Sequence, residues 1–315
     1  MKKTLFIIFC FCCNCGFASN HDTLKGDKFR YVSLDYQNDY FNATDYYFTQ
    51  GVRIDIIAPI FRKSPLSKIL LRAGKNSVDV HGIFASQECF TPTSIRSDSI
   101  LTGDRPFAAC IFVGQSRISS NIEKKYSLMS EIIFGFIGSR GGCMETQQTI
   151  HGWINGIDPH GWEYQISDDF IINYSSKYEK LVVAKKSFEF IPYLNIRAGT
   201  LYDNASAGIK IRTGIMNSFF DANIKSAKKF LCYAELWGQT TGVAYNATLQ
   251  GGLFNKQTPY VILNDEMERI LFSVGGKIVL NYKKLSLVYS RNWITPEFKK
   301  GLKHGWGGIA IKVNF

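Results

Sequence analysis

Two stretches of this chain concentrate side chains able to move protons or hold cations. The first runs from Asn38-Asp39 through Thr44-Asp45-Tyr46-Tyr47-Phe48-Thr49-Gln50-Gly51. The second, between residues 138 and 169, holds His151 and His160 with Trp153, Trp162, Glu145, Asp158, Glu163, Asp168 and Asp169. An imidazole titrates near neutral pH and can take a proton from water. Carboxylate, hydroxyl and amide oxygens are the hard donors that calcium accepts. General acid–base chemistry needs such parts: a base to activate a nucleophile and a stabiliser for the negative charge that develops. The sequence has no Gly-x-Ser-x-Gly elbow, so direct attack by water is simpler than a serine acyl-enzyme. Taken singly, each of these residues also has an ordinary reading, as loop decoration or as a solvated carboxylate.

The elements that must position these groups are strands. Val32, Leu34 and Tyr36 alternate with Ser33, Asp35 and Gln37, and Val52, Ile54 and Ile56 alternate with Gly51, Arg53 and Asp55. Similar period-two runs occur at 78–85, 106–115, 126–137, 170–174, 188–198, 207–216, 230–237, 270–282, 284–293 and 305–315, giving about twelve strands, an even number as bacterial barrels require. The apolar set would face lipid and the polar set a wet lumen. No apolar stretch after the first residues is long enough for a spanning helix, and hydrocarbon tolerates only helices or closed barrels. A soluble all-β sandwich also alternates. Against it stand 14% aromatic residues, many near segment ends as an interfacial girdle needs, and the final run Ile309, Ile311, Val313, Phe315, which resembles the terminal signal read by the barrel assembly machinery. The fold class is therefore all-β, a transmembrane antiparallel barrel with a partly helical insertion at about 138–169. Within that insertion 144–153 reads as a helix, placing Gln147 and His151 one turn apart on one face. By strand phase Asp39 and Thr49 should point inward and meet at one rim across a hairpin.

Residues 1–18 read as a cleaved signal peptide: Lys2 and Lys3, an apolar run, then Gly16-Phe17-Ala18 as the small-x-small site. Residues 19–315 then form one domain. A retained anchor and a lipoprotein are the alternatives, the second because Cys10, Cys12, Cys13 and Cys15 crowd the segment. Cys89, Cys110, Cys143 and Cys232 remain, without zinc-type spacing, and their connectivity stays open. The formal charge of +11 falls to +9 without Lys2 and Lys3. On an exported barrel this suits anionic lipid, and no nucleic-acid motif is present.

Five short motifs occur in an order that resembles the outer-membrane lipid A 3′-O-deacylases: Asn38-Asp39; Tyr47-Phe48-Thr49-Gln50-Gly51; Gly103-Asp104-Arg105-Pro106-Phe107-Ala108; Gln147-x-x-x-His151; and Gly161-Trp162-x-x-Gln165. The motifs cover about 31–170, and the remainder matches as barrel pattern only. The resemblance implies a monomeric twelve-stranded enzyme of the bacterial outer membrane that hydrolyses an acyl ester of lipid A in lipopolysaccharide and requires calcium. It casts His151 as general base, Gln147 as its polar partner, Asn38, Asp39 and Thr49 around the calcium and oxyanion position, and Arg96 as a contact for lipid A phosphate. The family carries an acidic calcium ligand six places after its histidine; here that place is Ile157, leaving Asp158 as the substitute. A non-catalytic barrel, either pore or structural protein, and an outer-membrane phospholipase are the competing readings.

Overall fold

The computed structural model describes residues 30–315 except Ala43, Asp45 and 221–229; the expected signal peptide lies outside the described residues. Thirteen strands form one antiparallel sheet. They are β1 (Tyr31–Asn38), β2 (Tyr47–Ile57), β3 (Val78–Thr91), β4 (Ala108–Asn121), β5 (Tyr126–Ile137), β6 (Asp169–Lys180), β7 (Val183–Lys185), β8 (Phe188–Gly199), β9 (Tyr202–Ile215), β10 (Phe230–Asn246), β11 (Ile270–Tyr282), β12 (Leu285–Ile294) and β13 (His304–Asn314). β6 pairs with β8, and β1 pairs with β13 from Tyr31↔Asn314 to Asn38↔Gly307. All strands but the three-residue β7, a hairpin on β8, thus close a twelve-stranded barrel, and among the described residues each of those twelve is paired on both sides.

Each expected run falls on one of the barrel strands, but several strands are longer. β6 extends from the expected 170–174 to Lys180, and β10 from 230–237 to Asn246. These extensions pass beyond the lipid belt, where neither face has to be apolar and the alternation that marks a strand is lost. Within the belt the phase is as expected: Ile54, Ile56, Ile83, Val113, Phe134 and Ile172 are exposed on the outside, and Asp35, Arg53 and Asp55 are buried inside.

The lumen is filled by charge pairs near the end where β1 begins and β13 ends. Arg53 bridges Asp55 (2.9 Å) and Glu131 (2.6 Å) over the Phe84 ring. Glu179 bridges Lys177 (2.9 Å) and Lys210 (2.7 Å), while Arg212 meets Glu189 at 2.5 Å. Phe219 reaches in beside Lys210, its backbone N–H donating to Glu189. At the far end Arg105 spans the mouth, donating to Glu297 (2.5 Å) and Thr248 (2.6 Å) above the Phe90 ring. Thr248 belongs to a short helix, α2 (Ala247–Gln250). Burial opposes charge on Glu297, but the Arg105 guanidinium beside it wins and holds the carboxyl below the usual range. Between these plugs a cavity of about 350 Å³ remains, lined by polar and aromatic side chains that include Tyr193, Trp237 and His304.

Candidate functional site

The insertion between β5 and β6 carries one helix, α1 (Cys143–Ile154), and it lies on the outside of the barrel. The outward face of β3 runs Ile83, Ala85, Gln87, Cys89, Thr91, since Glu88 and Phe90 between them line the lumen. α1 is tied to that outward row. Cys89 forms a disulfide with Cys143 across 54 residues. Gln87 Nε2 donates to the Gly141 carbonyl (2.8 Å) and to Thr146 Oγ1 (3.3 Å), and Gln50 Nε2 donates to Gln87 Oε1 (3.2 Å). Beneath the helix, Ile95, Phe107, Ala109 and Trp162 form a small apolar cluster with the disulfide. Gly161 has φ +92° and a Cβ there would meet Phe107 at 2.8 Å, so the turn before Trp162 needs a residue without a side chain.

The polar hairpin end is pinned to the same wall. Asn38 Nδ2 donates to the Thr49 carbonyl at 2.5 Å, and Asn38 Oδ1 accepts from the Tyr40 N–H at 2.7 Å. Asn38-Asp39 and Thr49 are therefore neighbours at one rim, as the hairpin predicts. The expected inward direction of Thr49 is not observed. A bulge between Phe48 and Gln50 takes Thr49 out of register, and its hydroxyl meets that of Thr91 (2.5 Å) on the outward row of β3. An extra residue in one strand shifts side-chain direction in this way. Asp39 leaves the strand as well: it begins a 3-10 turn, Asp39–Asn42, where alternation no longer sets direction, and it is buried.

On α1, Gln147 and His151 are one turn apart as expected, and each has its polarity fixed by a neighbour. Trp162 Nε1 donates to Gln147 Oε1 at 2.7 Å. An indole can only donate, so the amide oxygen faces Trp162 and the NH₂ points away, buried and without a hydrogen-bond partner. After α1 the chain turns at Asn155 (φ 52°), and the Gly156 N–H returns to the His151 carbonyl (2.8 Å), the left-handed cap common at helix ends. That reversal carries the Ile157 carbonyl onto His151 Nδ1. A carbonyl only accepts, so Nδ1 holds a proton, and in the neutral imidazole the lone pair is therefore on Nε2. Gly156 eases the approach, because a Cβ there would lie 3.3 Å from the His151 ring, a tight contact.

Other expected residues stand apart. Asp158 and Arg96 are exposed; the Arg96 N–H donates to Ser94 Oγ within its own loop, and Arg105 of the third motif is a buried lumen cap. Ile157 contributes its carbonyl rather than a side-chain ligand. At the bulge the Thr49 and Thr91 hydroxyls bond to one another, and Asp39 is buried at the same rim; carboxylate and hydroxyl oxygens are the donor type that a hard cation such as calcium takes. Among the described residues no cluster of three or more acidic, histidine or cysteine side chains is arranged around a metal position. Sequence reasoning missed Gln87, Cys89 and Thr91. Their signal was available: polar and cysteine residues on the lipid-facing phase of β3.

Among known proteins, a search of curated sequences finds no match. Among solved structures, LpxR from Salmonella typhimurium superposes with a TM-score of 0.71 at 16% identity, covering 90% of this chain and 100% of that one. The beta domain of the Bordetella autotransporter BrkA gives 0.45 at 8% identity over 91% of this chain and 98% of its own. The first supports the barrel architecture, and the second carries no further weight. The family model of the outer membrane protein LpxR matches residues 5–315, and the chain accordingly belongs to the LpxR family of bacterial outer membrane proteins.

Proposed function

We propose that this protein hydrolyses the ester that joins the 3′-linked acyl or acyloxyacyl group to lipid A, with calcium as cofactor. The observation that carries the reading is the pair on α1: a histidine whose Nε2 is left as acceptor by the Ile157 carbonyl, and a buried amide whose NH₂ is left as donor by Trp162. Both sit on a helix bound to the outward face of β3, so a lipid could present its ester from the membrane side without entering the lumen. The ion pairs and Phe219 that fill the lumen disfavour the pore reading.

In the reaction, His151 Nε2 takes a proton from water as the water oxygen bonds to the acyl carbon. Gln147, one turn before His151 on the same helix, is in this reading its polar partner, and the oxyanion is stabilised at the Asn38, Asp39 and Thr49 rim. When the tetrahedral intermediate collapses, the bond to the sugar oxygen breaks and the proton passes from His151 to that oxygen, releasing a carboxylic acid and a free hydroxyl. Asp39 and the Thr49 and Thr91 oxygens would hold calcium, which as a Lewis acid supplies charge stabilisation at the carbonyl. Asn38 positions the bulge through its bond to the Thr49 carbonyl. Arg96, exposed on the loop before β4, is free to meet a phosphate of the substrate. The protein acts as a monomer in this reading, inserted by the barrel assembly machinery. Mass spectrometry of lipid A from cells with and without the protein tests it: a loss matching one acyl or acyloxyacyl group is expected, and unchanged lipid A with altered phospholipid would select a phospholipase instead.

A further inference from the structure

The lipid-facing alternation fails at a second place, on β3 to β6 near the end where β1 begins and β13 ends. His81, Gln115, Arg117, Ser119, Ser130 and Tyr174 all lie on the outward phase shared with Ile83, Val113 and Ile172. Bare polar residues on a lipid-facing wall are costly. Here they are covered by the connection between β2 and β3, residues 58–77, which crosses the outside of the barrel. Gln115 donates to the Phe61 carbonyl (2.9 Å) and Ser67 (2.7 Å), and Arg117 to the Leu70 carbonyl (3.0 Å). The Ala73 N–H donates to Ser119 (2.8 Å), the Leu71 N–H to Ser130 (3.0 Å), and Tyr174 to the Ile69 carbonyl (3.0 Å). The segment is therefore a strap fixed by its backbone and by the Ser67 hydroxyl, with Leu70 and Ala73 buried beneath it and several of its other side chains exposed.

What it turns outward is amphipathic. Ile60 is 58% exposed, Ile69 51% and Leu71 43%. Arg62, Lys63, Lys68 and Lys75 are exposed beside them, while the exposed Arg72 bridges Asp79 on β3 at 3.1 Å; no acidic residue occurs between 58 and 78. The exposed Ile83, Val113, Phe134 and Ile172 mark the lipid belt on the same strands, so the strap lies along that belt's lower margin. Apolar side chains interleaved with cations at such a height are the composition of an interfacial membrane segment, and the positive charge selects anionic headgroups.

We propose that the strap 58–77 binds anionic phospholipid headgroups of the leaflet at the end where β1 begins, seating the barrel at a fixed depth. The proposal does not depend on the activity proposed above. Native mass spectrometry of the full-length folded protein released from detergent, with added phosphatidylglycerol or phosphatidylcholine, tests it. Wild type should retain phosphatidylglycerol preferentially, and increasing ammonium acetate should strip it. The triple variant K63Q/K68Q/K75Q should weaken that retention on the order of tenfold or more, while K299Q/K300Q/K303Q at the opposite rim should retain it as wild type does. Equal retention of the two lipids by wild type, or loss in the far-rim variant instead of the strap variant, would overturn the proposal. The salt titration of wild type decides the matter should the strap variant fail to fold.

Discussion

Replacing Cys89 and Cys143 by serine should release α1 from the barrel without opening the barrel itself. The disulfide spans 54 residues, but with the barrel intact β4 and β5 stay paired within that span, so only the short run 138–142 is freed, and cross-linking so short a loop removes chain entropy worth about 2 kcal/mol. Little else ties the helix to the wall: the Gln87 bonds to Gly141 and Thr146, and the cluster around Trp162. The barrel strands pair without help from either sulfur. About 2 kcal/mol is between one and two powers of ten in an opening equilibrium, so amide exchange across α1 should accelerate by up to about thirtyfold. Exchange in β8 to β12 and the heat-modifiable migration of the folded barrel should stay as in wild type. Hydrogen exchange read by mass spectrometry resolves the two regions, and Cys232→Ser serves as the control. If α1 exchanged at the wild-type rate in the double-serine variant, the disulfide would not be what holds the site against the wall.

Gly156→Val should push the His151 ring off the Ile157 carbonyl, because even a Cβ would stand 3.3 Å from it; kcat on purified lipid A should fall at least about tenfold with KM little changed. Trp162→Phe removes the donor that orients Gln147; the amide is then free to flip, and turnover should drop while barrel stability, read by urea midpoint, falls by only about 1 kcal/mol. Arg105→Ala leaves Glu297 charged and buried at the far mouth, and should cost about 3–5 kcal/mol of stability, visible as a lowered midpoint. The Glu297 carboxyl is held below the ordinary glutamate range. Its contribution is therefore complete above the unfolded value of about 4.3 and is lost as pH falls through the lower folded value. The Trp306 environment at that mouth should hold constant down to about pH 4 and change only in stronger acid, as fluorescence would record.

The barrel was legible in the sequence because lipid on one side and water on the other impose period two. The phase of Val52, Ile54 and Ile56 against Arg53 and Asp55 is the same in the structure. The strand tips were less legible, since beyond the lipid belt that constraint disappears. α1 and its Gln147–His151 face were visible from helical spacing, yet which wall they lie on was not. Strand phase sent Thr49 inward, whereas one bulged residue turns it to the outward row beside Thr91. A bulge inserts no marked residue type, so alternation cannot announce it. Gln87, Cys89, Gln115 and Arg117 carried a readable signal instead: polar or cysteine residues at lipid-facing positions must be covered, and α1 and the strap are their covers. The Ile157 position looked like a lost ligand when only side chains were counted. Its carbonyl supplies the contact that sets the tautomer of His151.

Release of fatty acid from purified lipid A by the folded protein in calcium tests the central claim most directly. Wild type should liberate one acyl or acyloxyacyl chain per lipid A, and His151→Ala should release none while migrating as a folded barrel. Release by His151→Ala at the wild-type rate, or intact lipid A after incubation with folded, calcium-bound wild type, would contradict the account.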